Sequence, residues 1–174
     1  MKWHLNILKI IVITVIALLI ASALINILGA IHQFDMLNEI SNSFFFKNYF
    51  PERSFDYSKN GERLFYVLNS AVFIYLAIGL RKVPKLINDI LKENLFYPYQ
   101  AEEIRRISST IIGYAKLKFL IILCCGAFFL MSPFNILGFI PSFIILYILG
   151  KVLLLLGKVV AKGEVIKQEN DLTV

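Results

Sequence analysis

Four long apolar runs, separated by polar or aromatic segments, organise the sequence. The first extends from Ile10 to Ile31, with only Thr14, Ser22 and Asn26 as polar interruptions. Its 22 residues exceed the roughly 7–15 of a signal-peptide core. As a helix it rises about 33 Å, enough to cross a hydrocarbon layer of about 30 Å. We read it as a retained first span. Further runs follow at residues 64–80, 107–131 and 140–160, the shortest at the lower limit for spanning. Between the last two, Pro133, Gly138 and Pro141 break the chain in "SPFNILGFIP", an uncharged link suited to a tight helical hairpin. The pattern predicts an all-α membrane protein: a single domain over 1–174 with four transmembrane helices.

The segment after the second run carries a helical period of its own. In "VPKLINDILKENL", Val83, Leu86, Ile87, Ile90, Leu91 and Leu95 share one face, and Lys85, Asp89, Lys92 and Glu93 the other. This predicts an amphipathic helix between the second and third spans, lying on the inner interface or docked on the bundle. Pro98 then breaks the chain, and Glu102 and Glu103 occupy a first turn where negative charge suits the helix dipole. From about Tyr99 the helical pattern continues into the third span.

Charge fixes the expected orientation. The loop from His32 to Arg63 holds four basic and five acidic residues, whereas Arg81 to Lys118 holds eight basic and four acidic. Lys2 and Lys9 begin the chain, and Lys151, Lys158, Lys162 and Lys167 end it. Short segments rich in Lys and Arg stay cytoplasmic. Both termini, the loop 81–106 and the tail 161–174 are therefore expected inside, and the loop 32–63 outside. The net charge of +6 then lies where anionic headgroups are and needs no direct contact with nucleic acid. A hydrophobic fraction of 58% with 17% charged residues departs from the roughly 45–50% and 25% of soluble domains. The expected home is a membrane, as an integral protein.

Candidate chemistry is sparse. Cys124 and Cys125 are adjacent within an apolar run and read as small hydrophobes. His4 and His32 flank the first span and read as interfacial. The sequence has no zinc-binding His-Glu motif, no Gly-rich phosphate loop and no acidic residue inside a span. Enzyme and ion-coupled pump are disfavoured, and no catalytic residue, metal site or cofactor is expected. The outer loop is rich in aromatics (Phe44, Phe45, Phe46, Tyr49, Phe50, Phe55 and Tyr57), which fit an interfacial cap or a recognition surface. Lys151, Lys158 and Lys162 fall within about 20° of one line on the fourth helix. They suit snorkelling, or contact with an anionic lipid or an internal carboxylate. Asn26 and Asn69 each lie five residues inside the outer limit of their spans, about 7.5 Å deep. They form a candidate interhelical pair.

Three stretches together resemble a known family. "ENLFYPYQAEEIRRISS" is similar to a pattern in which a Pro/Phe-type turn leads into a helix opening x-x-x-x-L-R-x-I, with the turn order reversed here. "LLGKVVAKGEVIKQENDLTV" resembles that family's basic, Gly-containing exit, and its end, Glu169 to Val174, the family's signature tail. The family is the bacterial domain-of-unknown-function family 2975, small four-helix membrane proteins. Its genes commonly adjoin one for a small helix-turn-helix regulator, so the resemblance implies a membrane partner in a regulatory pair and carries over no catalytic residue.

The tail then has two readings, a solvated terminus or a docking peptide. In an extended form Leu172 and Val174 would anchor one face, with Glu169 and Asp171 on the alternate face. Their candidate cations are Arg105 and Arg106. Two function classes follow. One is a non-enzymatic membrane sensor or regulator that signals to a cytoplasmic protein such as a helix-turn-helix transcription regulator. The other is an immunity protein acting against a membrane-active peptide through its aromatic loop. A small-molecule carrier stands behind both. Oligomeric state is not legible in the sequence.

Overall fold

The computed structural model describes residues 2–31, 59–91, 99–128 and 137–172, with side chains for all but 59–62, 125–128 and 170–172. They form five helices and, among the described residues, no strand: α1 (Lys2–Ile31), α2 (Lys59–Leu80), α3 (Val83–Leu91), α4 (Gln100–Phe128) and α5 (Ile140–Leu172). Four stretches are long and apolar enough to cross a membrane: Lys2–Ile31, Arg63–Leu91, Gln100–Cys124 and Ile140–Glu169. This is a multi-pass membrane protein.

The helices pack in a row. α1 lies against α2 and α3, α2 against α4, and α4 against α5. Only 11% of the apolar windows of α1 and α5 is buried, against 39% for those of α2 and α4. The flanking helices therefore turn Ile10, Leu18, Leu24, Ile145 and Leu155 outward, a surface tolerable only in lipid. Neighbours run antiparallel: Gly79 meets Thr110 and Gly113 meets Tyr75, while Gly150 meets Ile112 and Gly157 meets Ile104. All five helices converge on Leu76, Ile107 and Ile111, with Leu19, Leu80, Val83, Tyr114 and Leu153 packed around them.

Two glycines set the spacing of the row. A Cβ on Gly79 would lie 2.6 Å from the Thr110 hydroxyl and 2.7 Å from the Thr110 Cβ. One on Gly150 would lie 2.5 Å from Ile112 Cγ1 and 3.3 Å from the Ile112 backbone nitrogen. Small residues let membrane helices approach this closely. At the second contact the Ser108 hydroxyl donates across to the Gly150 carbonyl at 2.6 Å. Hydroxyls within the helices also bond their own backbone, as Thr14 does to Ile10 O at 3.0 Å and Thr110 to Arg106 O at 2.9 Å. Hydrocarbon offers no water to do this.

α4 starts where the sequence expects. Tyr99, just before the helix, adopts a left-handed backbone (φ 74°). Its carbonyl accepts the first helical bond, from Glu103 N–H at 3.0 Å. α5 differs from expectation. The fourth apolar run ends near Val160, yet the helix continues without a break to Leu172. The added turns contain no proline and are rich in good formers such as Glu164, Lys167, Gln168 and Glu169. Propagating an existing helix through them is easy, because the costly step is nucleation. At 33 residues α5 is about 50 Å long, well beyond the hydrocarbon thickness.

Candidate functional site

The polar centre of the bundle is built from α1, α2 and α4. Asn26 and Asn69 have no exposed surface, and the structure brings them together: Asn69 Nδ2 donates to Asn26 Oδ1 at 3.0 Å. Asn26 is held in turn by donating to Ser22 O at 2.6 Å. One turn away, the Ser70 hydroxyl is shared between Tyr66 O at 2.8 Å and Ala23 O at 3.2 Å. A buried amide left unpaired in an apolar medium costs several kcal/mol, on the order of 2–7. The α1–α2 register is thus fixed by bonds that a slip would break.

A third helix completes the network. Lys118 of α4 extends its ammonium to Asn69 Oδ1 and lies over the Phe73 ring, 4.8 Å from its centroid. The charge sits eleven residues, about 17 Å of rise, beyond Ile107. A lysine at such depth costs roughly 2.5–3.5 kcal/mol to insert, and such residues mark functional sites by default. Here an amide oxygen and an aromatic face offset part of that cost. Sequence reasoning missed Lys118 because it was counted with the loop charges that set orientation. Its position inside the 107–131 run was the available signal.

Lys118 also lines a cavity of about 320 Å³ between α4 and α5. Phe119, Ile122, Phe139, Phe143 and Leu146 supply apolar walls, and Ser142 and Tyr114 supply hydroxyls. Phe119 and Phe143 stack at 4.8 Å with 27° between planes, and Phe143 continues onto Tyr147 at 5.8 Å. Lys151 ends this ladder, its Nζ 5.4 Å from the Tyr147 ring centroid. Lys151 therefore turns back along α5 towards an aromatic face. Lys158 and Lys162, further along the helix, are exposed.

The end of the bundle carrying α1's first residues and α5's last bears an ion pair within α4, a second between elements, and a cap. Arg106 pairs with Glu102, Nε at 3.1 Å and a terminal nitrogen at 2.5 Å from one carboxylate oxygen. Lys82, between α2 and α3, stands 4.0 Å from Glu103. Ala101 N–H, in the first turn of α4, donates to Glu164 Oε1 of α5 at 3.0 Å. Side chains on a helix lean towards its N-terminus, so Glu164 reaches back to cap a neighbouring helix. Sequence reasoning passed over it, since no local motif marks a cap supplied by another helix.

Of the tail's candidate contacts, Glu169 does not pair with Arg105 or Arg106. Arg106 holds Glu102, and Arg105 is exposed. Glu169 lies five residues past Glu164, about 7.5 Å further from α4 along a continuous helix. An extended form does not hold through residue 172, which is helical. The side chains of Asp171 and Leu172, and Val174 as a whole, lie outside the described residues, as do the aromatic loop, His32 and the side chain of Cys125. Among the described residues, no cluster of three or more His, Cys, Asp or Glu could hold a metal.

No protein-family model, curated protein or solved structure matches this chain.

Proposed function

We propose that the chain is a non-enzymatic membrane sensor that passes a signal to a cytoplasmic protein, such as a helix-turn-helix transcription regulator. It would act as a member of the domain-of-unknown-function family 2975 in the bacterial cytoplasmic membrane. One observation carries this reading: α5 outruns the membrane by about three turns, and its projecting part is locked to the start of α4 through Glu164. A joined helix pair of this kind transmits a displacement within the membrane to its far end, whereas a flexible tail would not. Val165 and Ile166 are exposed on that projection and offer apolar contact to a partner. The excess of Lys and Arg puts both termini inside, so the projection enters the cytoplasm. α3 then lies at the inner interface as an amphipathic helix. Its apolar Ile87 is buried and its Lys85 exposed, and anionic headgroups meet the basic residues around it.

A photo-reactive residue placed at Val165 or Ile166 in living cells tests the reading. The expected product is a discrete adduct with one cytoplasmic protein whose peptides carry a helix-turn-helix sequence. Adducts with lipid alone at both positions would overturn it.

A further inference from the structure

We propose that the cavity between α4 and α5 is a binding site for a small apolar monoanion, a carboxylate or phosphate head on a hydrocarbon body. The proposal goes beyond the signalling role and stands whether or not a cytoplasmic partner exists. Three features carry it.

The first is the charge. Among the described residues lining the cavity, Lys118 is the charged one, and it is positioned by contacts that begin two helices away: Ser22 O holds Asn26, Asn26 holds Asn69, and Asn69 Oδ1 holds the ammonium. The Phe73 face fixes it from another side. A cation placed this firmly in a low-dielectric setting attracts an anion far more strongly than it would in water, and it repels a cationic ligand by the same factor. Ser142 of α5 also lines the cavity, and its hydroxyl is a second donor available to an oxyanion.

The second is the shape of the remaining walls. Phe119, Phe139, Phe143, Ile122 and Leu146 are apolar and come from both helices, so the body of the ligand must be hydrocarbon or aromatic. A volume of about 320 Å³ lies at the small end of ligand pockets, roughly 300–1,000 Å³. The lining on α4 runs from Tyr114 to Ile122, about 12 Å of rise. That suits a medium-length chain or a single aromatic acid.

The third is location. The site is walled by the two helices that continue into the capped projection, and the Phe119–Phe143 stack crosses between them. An occupant must bear on their spacing.

The chemistry has two sources, a free amphiphilic acid or an anionic phospholipid. The test measures radiolabelled decanoate binding to the full chain in nanodiscs of phosphatidylcholine, then with phosphatidylglycerol added. Saturable binding is expected, with no competition from decanol or decyltrimethylammonium. Displacement by phosphatidylglycerol would make the occupant a phospholipid, and its absence a free acid; either outcome supports the anion site. Lys118→Met should weaken binding roughly 10- to 100-fold, as for loss of a charged hydrogen bond, and Lys118→Arg should retain most of it. Because Lys118→Met also disturbs Asn69, Leu146→Trp serves as a second variant that fills the cavity and spares the network. It should abolish binding. The proposal is overturned if decanol competes equally, if Lys118→Met binds like the wild type, or if neither decanoate nor phosphatidylglycerol binds saturably.

Discussion

Replacing Asn69 by Leu should destabilise the bundle more than replacing Asn26 does, although both residues are fully buried and share one hydrogen bond. The difference follows from what each amide holds. Asn26 loses the bond from Asn69 Nδ2 at 3.0 Å and its own tie to Ser22 O. An interhelical polar pair in a membrane is worth about 0.6–2 kcal/mol. Asn69 loses the same pair and also the oxygen that accepts from Lys118. A hydrogen bond to a charged group contributes about 1.5–3 kcal/mol. Asn69→Leu should therefore cost about 2–5 kcal/mol and Asn26→Leu about 0.6–2. Reversible unfolding in mixed micelles, titrated with a denaturing detergent, reads both. A double-mutant cycle should return a coupling of about 0.6–2 kcal/mol between the asparagines. Asn69→Leu should also cost less in a Lys118→Met background, where no ammonium is left stranded. Equal effects of the two single substitutions with zero coupling would refute the reasoning.

Two further outcomes follow from the packing. Gly150→Ala should cost about 1–3 kcal/mol in the same titration: its Cβ meets Ile112 Cγ1 at 2.5 Å, and moving α5 away stretches the Ser108–Gly150 bond. Glu164→Ala should cost about 0.5–2 kcal/mol and speed amide exchange at Ala101, while Asn26 and Asn69 keep their coupling.

The spans were legible because apolar runs of membrane length have few other uses, and the asparagine pair because equal depth on adjacent antiparallel helices is a matter of counting. Lys118 was hidden by its own charge, which orientation rules assign to a loop. Its role depends on α4 lying beside α2, and no local pattern states that. Glu164 was hidden likewise, since its partner is 63 positions away. The helical form of the tail was not legible from composition: the helix-forming character of "KQENDL" counted only because α5 was already nucleated.

Orientation is the claim on which the signalling account rests most directly. Single cysteines at Ser54 and Lys92, in a background where Cys124 and Cys125 are serine, can be probed in intact cells with a membrane-impermeant maleimide. Ser54→Cys should label in intact cells, and Lys92→Cys only after permeabilisation. Labelling of Lys92→Cys in intact cells would put the α4–α5 projection outside the cell and contradict the account.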